Sequence, residues 1–432
     1  MADDRVSVAD NRKPIAAPSR ALEPEANLPT VRVRSPGLHT FIFKKMVVGP
    51  EPGPKPNDGD LVRVIDRDGV PLGFGLWNAR SQIPVRLIAR GTTPPDTGFW
   101  AAKIAEAVSL RRDLLGIEAI SDAYRVVHAE GDGLSGLIVD RFADVLSAEV
   151  FSLGVYQRIG PLMEQLRSAT GTAHYRVHVD QRIAQAEAFA GRPVISEEAP
   201  EKVEIRENGI RYRVKFEGGH KTGFFCDQRD NRRDLTRFCR DRNVLDVCCY
   251  SGGFGLSALV QGGAKEVTGV DLDEKAVAMA RENANLNQVR MGLVHADAFG
   301  YMRQMGLNGK DFGVVVLDPP KLIGSRLEMD EGRKKYLDLN TLALGLVEPG
   351  GLLLTCSCSG LLPAEEFLGI LRSAGRRAGR SARILAVTGA SADHPVGLEA
   401  PEGAYLKAAW LLVGDRAEEP PPTPTESAPP GD

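Results

Sequence analysis

The chain has 432 residues, 43% hydrophobic and 26% charged, with a formal net charge of −3. That length suffices for two or three domains with their own cores, and the composition is that of an ordinary globular protein. No apolar run approaches the ~20 residues that cross a bilayer, and Met1 to Asn27 lacks the basic segment and apolar stretch of a secretory signal, so a cytoplasmic address with no membrane partner is expected. Residues 1–30 and 415–432, rich in Pro, Glu, Ala and Asp, are expected to be disordered tails. The tail from Asp415 is acidic, with Glu418, Glu419, Glu426 and Asp432 against Arg416 alone. Between Val31 and Asp96, ten Lys or Arg face six Asp or Glu. An acidic tail thus hides a mildly basic body, and nucleic acid stays among the candidate partners.

From Asp60 the chain alternates in short segments: Leu61 to Ile65, Asp68-Gly69, Val70 to Trp77, then Ile83 to Ile88. Asp-Gly between alternating runs signals a hairpin, so residues 31–100 read as a small β-rich module. A helix with Ala101, Ile104, Ala105, Val108 and Leu115 on one face opens a central β-rich α+β part, residues 101–215. Its strands are expected near Tyr124 to His128, Leu137 to Asp140 and Val145 to Phe151, with a last hairpin turn at Glu207-Asn208-Gly209. Over residues 216–414, strands alternate with helical patterns, the mark of a parallel sheet wound with helices. Strands are expected at Val244 to Cys248, Glu266 to Val270, Gly292 to His295, Val314 to Leu317, Gly351 to Cys356 and Ile384 to Val387.

The first of these strands, containing Asp246, ends in Cys249-Tyr250-Ser251-Gly252-Gly253-Phe254-Gly255 and runs into a helix. Such a glycine turn lets the backbone approach a ligand at the carboxyl end of a sheet. The second strand ends in Asp271, where a carboxylate accepts from both ribose hydroxyls of a nucleoside. Asp297-Ala298 follows the third and is placed to reach an adenine amino group. NAD is a rival ligand, because Gly253 to Ala258 satisfies the looser Gly-x-Gly-x-x-Ala fingerprint. The stricter Gly131 to Gly136 stands between short β segments and reads as a turn. All six cysteines lie in the C-terminal half without paired metal-ligand spacing, and His220, His295 and His394 are scattered, so reduced thiols and no metal are expected.

Further motifs follow: Gly219-His220-Lys221-Thr222-Gly223-Phe224-Phe225-Cys226-Asp227-Gln228-Arg229-Asp230-Asn231-Arg232, the loop Asp318-Pro319-Pro320-Lys321, and Thr355-Cys356-Ser357-Cys358-Ser359-Gly360. Together with the glycine turn they resemble the PUA-domain-containing, S-adenosylmethionine-dependent 23S rRNA (cytosine-C5)-methyltransferases, the large-subunit methyltransferase I-like family, over residues 31–412. The resemblance implies a class I Rossmann-like catalytic domain behind a PUA-like RNA-binding domain and a central β-rich domain. It implies S-adenosylmethionine as methyl donor, with Lys221, Thr222, Gly223, Phe224, Asp227, Gln228, Arg229 and Asn231 shaping its site beside the glycine turn, Asp271 and Asp297. The expected partner is 23S rRNA or a large-subunit assembly intermediate, and a homodimer is one open arrangement.

Cytosine C5 methylation requires a thiolate to add at C6, a carboxylate at the cytosine edge and extrusion of the base. Asp318 is the expected carboxylate, and Lys321 is expected near phosphate. Two cues to the thiol conflict. Counting seven residues beyond a Gly-Gly pair from Gly351 selects Cys358, whereas a Thr-Cys-Ser triplet selects Cys356; Cys358 is preferred. Cys226, Cys239, Cys248 and Cys249 read as inert buried thiols. Arg372, Arg376, Arg377, Arg380 and Arg383 are candidate phosphate contacts. His39-Thr40-Phe41-Ile42-Phe43-Lys44-Lys45 stands where the family usually shows His-Pro-Trp-x-Phe. A guanine-N methyltransferase, a non-catalytic RNA scaffold and a dehydrogenase are the competing functions.

Overall fold

Alternation from Leu61 onward produces the strands it predicts. The computed structural model describes residues 17–34, 37–216 and 223–416, and Lys221 and Thr222 lie outside them. The contacts divide the chain into two compact units. Unit 1 is Met1–Arg233 with Ala390–Ala404, and unit 2 is Asp234–Gly389 with Tyr405–Asp432.

Unit 1 begins with β1 (Thr30–Val33), β2 (Phe41–Ile42), β3 (Val47–Pro50), β4 (Leu61–Ile65), β5 (Pro71–Trp77) and β6 (Val85–Arg90), ordered β2-β6-β5-β4-β1-β3 in one sheet. The β4–β5 turn closes because Asp66 Oδ1 accepts from the N–H groups of Asp68 and Val70 at 2.9 and 2.8 Å. Val31, Val33, Ile42, Val62, Val64, Val85 and Leu87 fill the core of this sheet.

Helix α1 (Thr97–Ser109) is capped by Asp96, which accepts from Phe99 N–H at 2.8 Å. Its buried stripe is Trp100, Ile104, Ala107 and Val108. The expected face is thereby corrected: Ala101 and Ala105 are exposed, because the bulkier Trp100 claims the inward direction one residue earlier. The second sheet comprises β7 (Ala123–His128), β8 (Leu137–Phe142), β9 (Val145–Val150), β10 (His174–His178) and β11 (Val194–Ile195), in the order β11-β10-β9-β8-β7. Helices α2 (Leu153–Gln157) and α3 (Ile159–Thr170) make the crossover that lets β10 run parallel to β9, and α4 (Gln181–Ala186) follows. Strands β12 (Lys202–Glu207) and β13 (Ile210–Lys215) form a separate hairpin, with Asn208 and Gly209 both at positive φ, 48° and 81°, as a tight two-residue turn demands. Residues 17–30 are not a loose tail. Leu22 is buried in the core with Leu61 and Leu162, and Arg20 bonds Asp60 at 2.6 Å.

After α5 (Arg229–Leu235), unit 2 winds β14 (Asn243–Val247), α6 (Gly253–Val260), β15 (Glu266–Asp271), α7 (Glu274–Leu286), β16 (Gly292–His295), α8 (Ala298–Leu307), β17 (Phe312–Leu317), α9 (Met329–Gly345), β18 (Val347–Ser357), α10 (Ala364–Arg377), β19 (Arg380–Thr388) and β20 (Lys407–Arg416) into a seven-stranded sheet, ordered β16-β15-β14-β17-β18-β20-β19. The strands through β18 pair in parallel, and β20 inserts antiparallel between β18 and β19. Leu245, Val247, Val315, Leu317 and Leu353 meet Tyr336, Leu339, Ala343 and Phe367 in its core. Near-continuous apolar strands are what a sheet covered on both faces requires. Among the described residues no helix is long and apolar enough to cross a membrane.

Candidate active site

The carboxyl edge of the seven-stranded sheet gathers the acidic positions picked out from sequence. Val247 is in register with Val270 and Leu317, and Leu317 with Thr355. The next residues along these parallel strands, Cys248, Asp271, Asp318 and Cys356, therefore form one row where the strands end. The Cys248 thiol is pushed up by burial first, then by Asp271, Asp318, Asp246 and Asp297. Carboxylates from four neighbouring strands thus lend this edge a negative field.

Between β14 and α6 the backbone takes positive φ at Cys248 (63°), Tyr250 (48°) and Gly252 (82°). Two of these are not glycine, a conformation that persists where the surroundings over-determine it. Here Cys248 and Cys249 donate N–H bonds to Val270 O at 2.8 and 3.0 Å, and Tyr250 N–H donates to Asp271 Oδ2 at 2.8 Å. Buried Asp246 accepts from Gly255 N–H at 2.9 Å, and Asn283 Nδ2 donates to Ser251 O at 3.0 Å. Ser251, Gly253 and Phe254 are buried in the turn and the first turn of α6. At Gly252 a side chain would press on Ala280 Cβ at 3.3 Å.

Half-buried Asp271 also accepts from Asp273 N–H at 2.9 Å, and a carboxylate oxygen has a lone pair beyond one such bond. Asp297 caps α8, which begins at Ala298, by accepting from Gly300 N–H at 2.8 Å, and is exposed. Leu272, directly after Asp271, is 68% exposed, and sequence reading passed over it. Anionic surroundings suit a sulfonium, and Asp271 suits vicinal hydroxyls, so these residues fit an adenosyl methyl donor.

The two thiols of the Cys-Ser-Cys triplet differ. Cys356 lies inside β18, paired with Ala408 and fully buried. Cys358 directly follows the strand and is half-buried. Its flanks are fixed: Ser357 Oγ donates to Tyr336 Oη at 2.9 Å, Tyr336 Oη and Ser359 Oγ are 3.0 Å apart, and Ser359 Oγ accepts from Ile323 N–H at 3.1 Å. Lys407, from the strand β20 that sequence reading missed, donates from Nζ to Ser359 O at 2.7 Å and Tyr405 O at 2.8 Å. Burial lowers this ammonium to about 8, while Cys358 pushes it back up. The remaining thiols behave as inert hydrophobes: burial pushes Cys226 and Cys249 well up and Cys239 to about 12. Asp318 is half-buried with its N–H on Val247 O at 3.3 Å, and Lys321 is exposed. Among the described residues no three His, Cys, Asp or Glu side chains are grouped to hold a metal ion.

The motif from Gly223 belongs to unit 1. Phe224 is packed by Tyr212, ring centroids 5.0 Å apart, and lies under the Arg232 guanidinium at 4.9 Å. Buried Asn231 donates to Gln228 Oε1 at 2.7 Å, and Asp227 O accepts from Ser391 N–H and Oγ at 2.8 and 3.0 Å. Arg229, 1% exposed, makes a bidentate pair with Asp393 at 2.9 and 2.8 Å. Burial disfavours the Asp393 anion, but His394 and Arg229 outweigh it and hold the carboxyl well below its ordinary range. Arg229 was expected at the methyl donor, and the structure corrects this: its fork is taken by a carboxylate from the segment Ala390–Ala404. The arginine group is corrected in one member. Arg380 is buried with Nη2 on Val347 O, whereas Arg372, Arg376, Arg377 and Arg383 are exposed. On the first sheet of unit 1, Phe41 lies 5.0 Å from His39 and 6.4 Å from Phe43, with the Arg86 guanidinium 5.0 Å over its ring. Phe43, Lys44 and Lys45 are exposed beside it.

A family model described as S-adenosylmethionine-dependent methyltransferase matches residues 135–379, and a PUA-like domain model matches residues 37–90. Ribosomal RNA large subunit methyltransferase I of Tolumonas auensis is 38% identical over 376 residues, covering 85% of this chain and 94% of the relative. The protein of the same name from Salmonella arizonae is 36% identical over 375 residues, covering 85% and 92%. The crystal structure of SMU.776, assigned as a methyltransferase and complexed with SAH, superposes with a TM-score of 0.74 at 20% identity, covering 88% of this chain and 99% of that one. A structure of a SAM-dependent methyltransferase from Streptococcus mutans gives the same values. At that identity the likeness shows a shared fold.

Proposed function

The chain belongs to the ribosomal RNA large subunit methyltransferase I family of S-adenosylmethionine-dependent enzymes, and from that premise we propose that it methylates C5 of a cytosine in 23S rRNA through a bond between Cys358 and C6. The observation that carries this reading is a half-buried thiol just beyond the end of β18, on the sheet edge that also carries Asp318 and Asp271.

Cytosine C5 is a poor nucleophile. When the Cys358 thiolate adds to C6, a sulfur–carbon bond forms and the ring electron pair moves toward C5, which becomes enamine-like. Asp318 meets the cytosine edge at N3 and the 4-amino group and holds the extruded base. Asp271, Asp297, Ala298, Leu272 and the turn from Tyr250 to Phe254 hold the donor. Bound there, S-adenosylmethionine supplies an electrophilic methyl group for C5. Loss of the C5 proton to water then returns an electron pair to the ring, the Cys358–C6 bond breaks, and the thiolate is restored. Asp246 serves from beneath by bracing the glycine turn. Lys321 and the exposed arginines contact phosphate, and the aromatic and basic surface of His39 to Lys45 stacks on unpaired bases. The substrate is 23S rRNA, free or in a large-subunit assembly intermediate.

Transfer of labelled methyl to rRNA, followed by nucleoside analysis, tests the reading. Labelled 5-methylcytidine is expected. A labelled methylguanosine would replace it with the guanine-N activity, which has no use for Cys358.

A further inference from the structure

A cysteine at neutral pH is mostly a thiol, with a pKa of about 8.5, and a nearby cation is the usual means of lowering it. At the end of β18 the chain provides one. Lys407 is the residue paired with Ser357 across β18 and β20. Its ammonium is fixed on the carbonyls of Ser359 and Tyr405, so it is held at the residue that follows Cys358. Both acceptors are neutral, and the side chain is in a site 6% exposed. Carbonyls leave the charge of a buried ammonium uncompensated, which is costly unless an anion stands near.

We infer that Lys407 is a positioning residue that holds Cys358 in its thiolate form, ready to add to the pyrimidine ring. The inference rests on the reading above that Cys358 is the attacking thiol. The other groups at this edge make the cation necessary. From the end of β17, Asp318 brings negative charge that on its own favours the neutral thiol. From α9, the Tyr336 phenol is raised by burial, with Cys358 adding to the rise, and it is held by Ser357 and Ser359 as a neutral hydrogen-bonding group. From β20, Lys407 is lowered by burial and raised by Cys358, the direction expected of an ammonium close to a group that can ionise to an anion. Lys407 thus performs for Cys358 what a paired imidazolium performs in other thiolate enzymes.

The test reads the thiol and not the reaction. In the full-length protein, iodoacetamide alkylation of Cys358 is followed by mass spectrometry of its peptide from about pH 6 to about pH 9.5, which gives the ionisation midpoint. The wild-type midpoint is expected below the free-cysteine value of about 8.5. Lys407→Gln keeps amide donors for the two carbonyls but removes the charge, and should raise the midpoint by about one unit, a roughly tenfold slower alkylation at neutral pH. Lys407→Arg should restore it. A wild-type midpoint at or above that of free cysteine overturns the inference, and so does an equal midpoint in a Lys407→Gln protein that melts like wild type. If Lys407→Gln fails to fold, the wild-type and Lys407→Arg profiles decide. Failure of the functional reading shows elsewhere, as a labelled product other than 5-methylcytidine.

Discussion

In unit 1, Arg111 with Asp132, Arg125 with Asp140, Arg229 with Asp393 and Arg232 with Glu207 are buried as pairs of opposite sign. At the carboxyl edge of unit 2, by contrast, Asp246, Asp271, Asp297 and Asp318 gather around Cys248 with the same sign. Each buried pair in unit 1 answers its own charge, so it holds the fold closed and asks nothing of a ligand. Carboxylates of one sign at a strand edge suit a cationic ligand. Charged residues picked out from sequence therefore divide by what answers them: Arg229 is answered within unit 1 by Asp393, whereas Asp271 stands at a strand end among like charges.

The comparison can be broken at four points. The largest effect is expected for Cys358→Ala, which should reduce methyl transfer by a factor on the order of 10³ or more while leaving donor affinity unchanged; single-turnover transfer and donor calorimetry read the two quantities separately. Asp393→Ala leaves the buried Arg229 charge without its partner and should destabilise the protein by about 3–5 kcal/mol in a urea melt. Asp271→Ala should do the reverse, weakening donor binding by about 1–3 kcal/mol while changing folding stability by less than about 1 kcal/mol.

The smallest effect is a pH slope. Burial, with Arg125, His394 and Arg111, holds the His128 imidazole down at about 2. The unfolded value is about 6.5. Because the folded value is the lower one, the contribution of neutral His128 is complete above the unfolded value and is lost as pH falls from there toward the folded value. The slope is at most about 1.4 kcal/mol per pH unit. Urea midpoints compared at about pH 7.5 and about pH 5.5 should show it, and His128→Gln should flatten it.

Much of this was legible because it is local. Leu61–Ile65 and Gly292–His295 form strands with the bounds their alternation and apolar runs indicate, and Asn208-Gly209 turns as its residue types require. The glycine turn, Asp271 and Asp318 lie at strand ends because a doubly wound sheet puts its loops there. What escaped was non-local. Arg229 and Asp393 are 164 residues apart in the chain, so a reading by motif assigned Arg229 to a ligand. Lys407 opens a strand that follows a long irregular segment, and nothing in its immediate neighbours marks it as the partner of the Cys358 loop. The choice between the two thiols turns on depth: both have the same parity along β18, but Cys356 is enclosed between neighbouring strands and Cys358 lies beyond the strand end.

The most direct measurement uses an RNA target carrying 5-fluorocytosine, whose fluorine prevents the proton loss that releases the enzyme after methyl transfer. With S-adenosylmethionine present, the wild-type protein should form a denaturant-stable bond to this RNA through Cys358, and the Cys356→Ala variant should do the same. No bond, or a bond mapped to Cys356 and retained in Cys358→Ala, would contradict the account.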